Sequence, residues 1–173
     1  MGRRGAPGPV DQHRAVHQAA SLLLSYPDQR WPAHRALVLE SIGGLSGPAT
    51  ESLRRFCRRT ADVPLLDLAA QYVTTFDRSR RRTLHLTRYT AADPAALNAR
   101  YRQYGWEPAC GEPPDHLPAV LEFAARCPAA GRAVLHEHRG ALALLAADLA
   151  AEGSPYLDVI RAVRATLGEG ALR

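Results

Sequence analysis

The sequence predicts an all-α protein, folded as a single-domain helical bundle of about eight or nine helices. Apolar residues recur at spacings of three and four along most of the chain, which is the period of an amphipathic helix. Proline and glycine separate these stretches, and no regular series of short alternating strands occurs. With 173 residues, 46% of them hydrophobic, the chain is large enough for one domain with a real core. We expect a disordered Gly/Pro-rich tail over 1–10 and one helical domain over 11–173.

Helix ends are marked by local signals in the middle of the chain. Asp62 is a candidate N-cap, and Pro64 fits the first turn of the helix that follows it. Asp93 and Pro94 predict a second helix start of the same kind, and Gly105 predicts where that helix ends. The helix after Asp62 has the clearest apolar face, which comprises Leu65, Leu68, Ala69, Tyr72, Val73 and Phe76.

Two other segments allow more than one interpretation. In RRTLHLTRYT, at 81–90, Leu84 and Leu86 alternate with polar residues, a pattern that also fits a strand. We predict a helix there because a lone strand would have nothing to pair with. Residues 131–151 are predicted to form one helix, on which His138 is expected to be a hydrogen-bonded histidine at the border of the core. Its apolar stripe has a heptad-like spacing and comprises Leu135, His138, Leu142, Leu145 and Leu149.

Charge and cysteine content exclude several classes of protein. The net charge of +5 comes from scattered arginines without a single lysine, so compositional bias explains it as well as nucleic-acid binding does. The three cysteines are odd in number and form no Cys-x-x-Cys pair, which argues against a disulfide framework and a zinc site. The polar residues after the N-terminal arginines exclude a secretory signal, and no stretch has the ~20 apolar residues of a membrane span. We therefore expect a cytoplasmic protein without stable membrane insertion.

The common catalytic motifs are absent from the sequence. No lysine is present to complete a phosphate-binding loop, and no Gly-x-Ser-x-Gly nucleophile turn occurs. HEHRG, at 136–140, has Gly140 where a zinc protease would have its second histidine. We expect no catalytic residue, no metal and no cofactor.

Two polar motifs have both a structural and a functional interpretation. RSRRR, at 78–82, is either a solvated helix end or, together with Arg88, one side of a groove that contacts a partner peptide. In GEPPDHLPAVLEFAA, at 111–125, Asp115 can cap the following helix while Pro118 occupies its first turn. Asp115 and His116 leave open a small helical enzyme as an alternative, and the basic composition leaves open a nucleic-acid-binding helical domain.

Several strings resemble one known family. YVTTFD (72–77), the arginine run, TLHLTRY (83–89), GEPPDHLPAVLEFAA, HRGALALL and SPYLDVI are similar to the NarJ family of nitrate reductase molybdenum cofactor assembly chaperones, among the TorD/DmsD-like maturation chaperones. The resemblance spans about 15–167. It implies an all-helical, non-enzymatic cytoplasmic protein that binds the N-terminal segment of the apo catalytic (alpha) subunit of a membrane-bound nitrate reductase. It also implies that this subunit is held until the molybdenum cofactor is inserted. The chain differs from the family at AADPAALNARY, where a Gly-Asp-Thr-Arg-like turn and a longer helix are usual.

The resemblance also indicates where the partner peptide binds. A groove between helices that accepts an amphipathic peptide would suit such a chaperone, with large aromatic side chains as anchors. Nucleic acid is not an expected partner, and a homodimer is left open. The predicted peptide-binding residues are Tyr72, Phe76, Asp77, Arg80, Arg81, Arg82, Tyr89, Asp115 and His116.

Overall fold

A computed structural model describes residues 8–79 and 82–168, and within these ranges the chain forms nine α-helices and no strand. The predicted all-α fold is thereby confirmed. The tail predicted over 1–10 lies mostly outside the described residues, and the first helix already begins at Pro9. The helices are α1 (Pro9–Leu23), α2 (Trp31–Ser41), α3 (Pro48–Arg59), α4 (Leu65–Tyr72), α5 (Pro94–Gln103), α6 (Leu117–Arg126), α7 (Pro128–Glu137), α8 (Arg139–Ala151) and α9 (Tyr156–Thr166).

The centre of the bundle is formed by α1, α6 and α9. Helix α1 packs against both of the others, α3 covers α9 from another side, and α7 and α8 complete the C-terminal half. The face that α1 turns inward consists of small and branched apolar residues, which let neighbouring helices approach closely. Its buried residues include Val16, Ala19, Ala20 and Leu23. The apolar residues that repeat along the helices thus pack into one continuous core.

Tyr156 lies at the middle of an aromatic cluster that joins four helical segments. Its ring centroid lies 5.2 Å from that of Phe56 on α3, 5.8 Å from that of Tyr72 on α4 and 5.1 Å from that of Phe76. The rings of Tyr72 and Phe76 meet Tyr156 edge to face, an arrangement that aromatic quadrupoles favour. This cluster holds the end of α4 against the core and so positions the region described below.

The contact between α6 and α7 depends on one glycine. A Cβ atom placed on Gly131 would lie 2.1 Å from the Cα of Ala124, far inside van der Waals contact. Cys127 alone separates the two helices, so they must pass each other closely directly after the turn. Gly131 permits that approach because it has no side chain.

Local capping signals predicted some helix ends correctly and others wrongly. Asp93 caps α5 as predicted, since its side chain accepts a hydrogen bond from the Ala95 N–H at 2.9 Å. Asp62 is not a cap, because Pro64 takes the N-cap position of α4 and no side chain bonds there. A proline at that position already restricts the backbone before the helix, so a polar cap three residues from Leu65 is out of register.

The helix predicted over 131–151 is two helices. Helix α7 ends at Glu137, α8 begins at Arg139, and His138 lies between them. His138 is buried, and its ring Nδ1 bonds the Val134 carbonyl at 2.9 Å, as predicted for a core-border histidine. The other members of the predicted stripe, Leu135, Leu142, Leu145 and Leu149, are also buried. A bend between the helices therefore preserves the inward direction of these side chains.

Candidate functional site

Two segments far apart in the sequence pair at the edge of the bundle. The Leu117 N–H donates to the Leu84 carbonyl at 2.8 Å, and the Leu86 N–H donates to the Asp115 carbonyl at 3.0 Å. These bonds form an isolated antiparallel bridge between His85 and His116. The α-helix predicted over 81–90 is therefore wrong: none forms over 82–90, His85 has an extended backbone at the bridge, and Leu86–Arg88 makes one 3₁₀ turn. The partner of this segment is the loop before α6, which the local sequence did not reveal.

The Asp115 carboxylate fastens this junction instead of capping α6. It is buried, and it accepts hydrogen bonds from the Thr87 hydroxyl at 2.5 Å and from the His85 ring Nδ1 at 3.2 Å. The predicted cap is thus wrong, since His116 is the N-cap residue of α6 and makes no side-chain capping bond. Burial alone would raise the pKa of Asp115, but the hydrogen bonds from Thr87 and His85 outweigh it and hold the pKa below its usual value.

His116 has a different set of partners. Its Nδ1 lies 2.9 Å from the Glu112 carboxylate, and its ring lies 5.3 Å from the His85 ring at an angle of 32°. Burial lowers the pKa of His116, and the nearby Glu112 only partly offsets that effect. The loop is also tied to α5, because the Tyr101 hydroxyl donates to the Pro114 carbonyl at 2.7 Å. His116 is therefore held in place as a neutral ring at neutral pH.

A cleft of about 720 Å³ opens beside this junction. Its apolar walls include Tyr72 and Phe76 on one side and Leu84 on the other. Helix α4 continues into a single π-helical turn, Val73–Asp77, which delivers Phe76 and Asp77 to the cleft. Such turns are frequent at functional sites. Of the residues that the structure describes, those lining the cleft are Tyr72, Phe76, Asp77, Ser79, Thr83, Leu84, His85, Arg88 and His116.

The three predicted aromatic anchors have different positions. Tyr72 and Phe76 line the cleft but are only 6% and 5% exposed, so each also belongs to the core. The Tyr72 hydroxyl donates to the Leu24 carbonyl at 3.0 Å, which fixes the ring. Tyr89 does not line the cleft: its hydroxyl bonds both the N–H and the carbonyl of Thr83. Tyr89 therefore closes the loop over 83–89.

Arg82, the last arginine of the run, is bonded within the protein. The Arg82 guanidinium forms an ion pair with Glu152, and its Nε donates to the Thr75 carbonyl at 3.2 Å. Arg80 and Arg81 lie outside the described residues. Arg88 lines the cleft, is exposed, and forms no ion pair with any residue that the structure describes. Among the described arginines near this loop, Arg88 is the one that lines the cleft.

Sequence reasoning missed His85 as a site residue. His85 contacts both members of the Asp115 and His116 motif and lines the cleft as well. The alternation of Leu84 and Leu86, both buried, was the available signal, because a period of two places the residue between them on the open side. Ser79 and Thr83 were missed too, and no pattern in the sequence distinguishes them.

The polar side chains of the Asp115 and His116 motif are bonded separately. Asp115 and His116 are engaged with different partners, so they do not act on each other as an acid and base pair. Over residues 8–79 and 82–168, no group of three His, Cys, Asp or Glu side chains is arranged to bind a metal ion. Within the same ranges, no helix combines the length and the apolar character needed to span a bilayer. What the site provides is a partly apolar cleft with a polar and charged rim.

Comparison with known proteins identifies the fold and the family of the chain. A crystal structure assigned as a redox enzyme maturation protein from Archaeoglobus fulgidus has the same fold, with a TM-score of 0.67 over 98% of this chain and 96% of that one, at 20% identity. The model of the family described as "Nitrate reductase delta subunit" matches residues 44–162. The chain belongs to this family, that of the NarJ proteins.

Individual relatives agree with that assignment. A Bacillus subtilis protein assigned as the nitrate reductase molybdenum cofactor assembly chaperone NarJ is 32% identical, with 86% of each chain covered. The nitrate reductase-like protein NarX of Mycobacterium tuberculosis is 37% identical over 91% of this chain. The chain spans only 25% of the length of NarX.

Proposed function

We propose that this protein is a cytoplasmic chaperone for a respiratory nitrate reductase. It binds the N-terminal segment of the apo catalytic (alpha) subunit and holds that subunit for molybdenum cofactor insertion and assembly of the complex. The observation that carries the proposal is the cleft between the 72–77 and 83–89 segments, with the Asp115 and His116 motif at its edge. The assembly role named for the Bacillus subtilis relative supports the choice of client.

The cleft suits a peptide with one apolar face. Tyr72, Phe76 and Leu84 are mostly buried, and their exposed edges offer a small apolar surface to side chains of such a peptide, as a groove does to an amphipathic helix. Asp77 and Arg88 supply charges of opposite sign at the rim. Opposite charges give a bound segment a preferred direction, because its own charged groups fit only one way round.

The imidazoles supply the polar contacts. His85 and His116 both line the cleft, and their rings lie side by side. Each ring has one nitrogen bonded within the protein, to Asp115 and Glu112 respectively, which leaves the other nitrogen available for a peptide backbone group. The junction is already hydrogen-bonded, so little conformational entropy is lost when the peptide binds.

Calorimetric titration tests the proposal. A synthetic peptide with the N-terminal sequence of the alpha subunit should bind the wild-type protein saturably, and Arg88→Gln should weaken it by roughly 1 kcal/mol through loss of one rim charge. Arg102→Gln is the matched control, since Arg102 is exposed, pairs with Glu107 and lies outside the cleft lining. Equal affinity for all three proteins would place the peptide elsewhere.

The oligomeric state of the protein is tested separately. The homodimer left open by the sequence is a separate prediction. Sedimentation of the purified chain with and without peptide tests it.

A catalytic role for Asp115 and His116 is the weaker alternative, since their side chains are bonded to different partners.

A further inference from the structure

Three arginines converge on one buried carboxylate where α3 packs against α9. Arg55 and Arg59 lie one turn apart on α3, and Arg161 lies one turn after Asp158 on α9. The Arg55 Nη1 is 3.3 Å from Asp158 Oδ1, and the Arg59 Nη1 is 3.2 Å from Oδ2. The Arg161 Nη1 is 3.7 Å from Oδ1. None of these residues lines the cleft described above.

The cluster holds more positive charge than its carboxylate needs. The Asp158 side chain is 1% exposed, whereas the side chains of Arg55, Arg59 and Arg161 are 44%, 42% and 50% exposed. One arginine would neutralise Asp158, so among the residues that the structure describes the cluster carries an excess of positive charge. Glu51, the acid on the same helix, is bonded to Arg54 and Arg58 and also interacts electrostatically with Arg55.

The guanidinium groups are also held in position. Besides its contact with Asp158, the Arg59 Nη2 donates to the Gly153 carbonyl at 2.9 Å. Each guanidinium has five N–H donors, and the contacts with Asp158 and Gly153 use only a minority of them. A ligand that binds the remaining donors meets side chains that have already lost much of their rotational freedom.

We propose that Arg55, Arg59 and Arg161 form a binding site for a phosphate group. A phosphate monoester carries about −1.5 to −2 charges at neutral pH and three acceptor oxygens, which match the excess positive charge and the three guanidinium groups of the cluster. A carboxylate, with one charge, would leave part of the cluster uncompensated. The phosphate belongs either to an inorganic ion or to an organic phosphate ester, and both present the same oxygens to the cluster.

Titration calorimetry of the full chain with inorganic phosphate and with AMP, a phosphate monoester of similar charge, tests this site and separates the two sources. We expect saturable binding that the double variant R55Q/R59Q weakens by roughly tenfold or more, because charge-assisted hydrogen bonds are lost. R55K/R59K keeps the charge but loses the planar donor fork, and it should also bind more weakly than wild type. AMP binding more tightly than inorganic phosphate identifies an ester as the ligand type, and the reverse order identifies an inorganic ion.

A matched control separates the site from general charge. R54Q/R58Q removes the same charge from the same helix without touching Asp158, and it should leave phosphate affinity within about twofold. If R55Q/R59Q fails to fold because Asp158 loses its two nearest partners, R161Q replaces it and should weaken binding severalfold. The proposal is overturned if no probe binds saturably, or if R54Q/R58Q weakens binding as much as R55Q/R59Q. Because the cluster lies outside the cleft, peptide titration of the same variants reports separately on the chaperone proposal.

Discussion

The Thr87 hydroxyl donates a hydrogen bond of 2.5 Å to the Asp115 carboxylate, although 28 residues separate the two in sequence. With the second bond from His85, this contact ties the loop before α6 to the segment over 83–89. The cleft is lined from both sides of this junction, by Thr83, Leu84 and His85 on one segment and His116 on the other. Asp115 is thus a positioning residue for the cleft.

Replacing Asp115 with alanine should lower the free energy of unfolding by about 1–3 kcal/mol, because Thr87 and His85 lose a buried charged acceptor. Urea denaturation measures the change. Asp62→Ala is the control: Asp62 is exposed and caps no helix, so it should shift stability by less than ~0.5 kcal/mol. If both variants lose the same stability, the junction contributes nothing specific.

His116→Ala should weaken peptide binding by more than ~1 kcal/mol while changing stability less than Asp115→Ala does. The ring faces the cleft, and its internal partner Glu112 is partly exposed and can turn to water. Calorimetry with the alpha-subunit peptide measures affinity, and nitrate reductase maturation in cells provides a second readout. Glu112→Gln, which retains a hydrogen-bond acceptor for His116, should bind nearly as wild type. Normal maturation with His116→Ala at native expression would contradict the prediction.

The free energy of unfolding should fall as the pH is lowered, because His17 is buried. This residue is buried against Thr166, and burial, together with the neighbouring His13, lowers the pKa of His17 from 6.5 to about 4. A folded-state pKa below the unfolded one favours the neutral ring, so its contribution is complete above pH 6.5 and is lost as pH falls toward 4. The loss should approach roughly 1.4 kcal/mol per pH unit within that window.

Urea denaturation at several pH values measures this loss. His17→Gln should remove most of the slope, whereas His34→Gln on α2, where the ring is only partly buried, should retain it. An unchanged slope in His17→Gln would assign the acid sensitivity to other groups. Asp115 acts at lower pH: its depressed pKa makes its contribution complete above its unfolded pKa of about 3.9, and the contribution is lost as pH falls through the folded value.

Two glycine substitutions should change the stability of the protein in opposite directions. Gly131→Ala forces a methyl group into the backbone of Ala124, so it should destabilise the protein by about 1–3 kcal/mol or prevent folding. Gly140→Ala, within α8, meets no atom within 4 Å and should stabilise it by up to about 1 kcal/mol. Thermal unfolding of the two variants measures both effects, and a tolerated Gly131→Ala would mean that α6 and α7 separate easily.

The arginine run should divide into structural and binding residues. Arg82→Gln should lower stability, because it breaks the contacts with Glu152 and the Thr75 carbonyl. Neutral replacements of Arg80 and Arg81 should leave stability unchanged and lower peptide affinity together with part of its salt dependence, if these residues contact the partner as predicted. Pull-down with the peptide at low and moderate salt distinguishes the outcomes. If replacing Arg80 and Arg81 changes neither the affinity nor its salt dependence, the two residues are solvated charges.

The sequence by itself determined the features that depend on neighbours along the chain. The apolar period identified the helices, and the stripe that includes Leu142 and Leu145 is buried as predicted, because burial follows the helical repeat. Asp93 was identified as a cap because its hydrogen-bond partner lies only two residues away. Family membership could also be predicted, because the motifs that resemble the family are continuous in the sequence.

Only the tertiary structure decided how the site is assembled. Leu84 pairs with Leu117, Thr87 with Asp115 and Arg82 with Glu152, and in each case the partner comes from a distant segment. The lack of a strand partner favoured a helix for 81–90, and the position of Asp115 before a helix favoured a capping role. Long-range hydrogen bonds replaced both, because they satisfy buried backbone and carboxylate groups that local structure would have left unpaired. The cleft exists because these distant pairs form, so its lining was not contained in any single stretch of the chain.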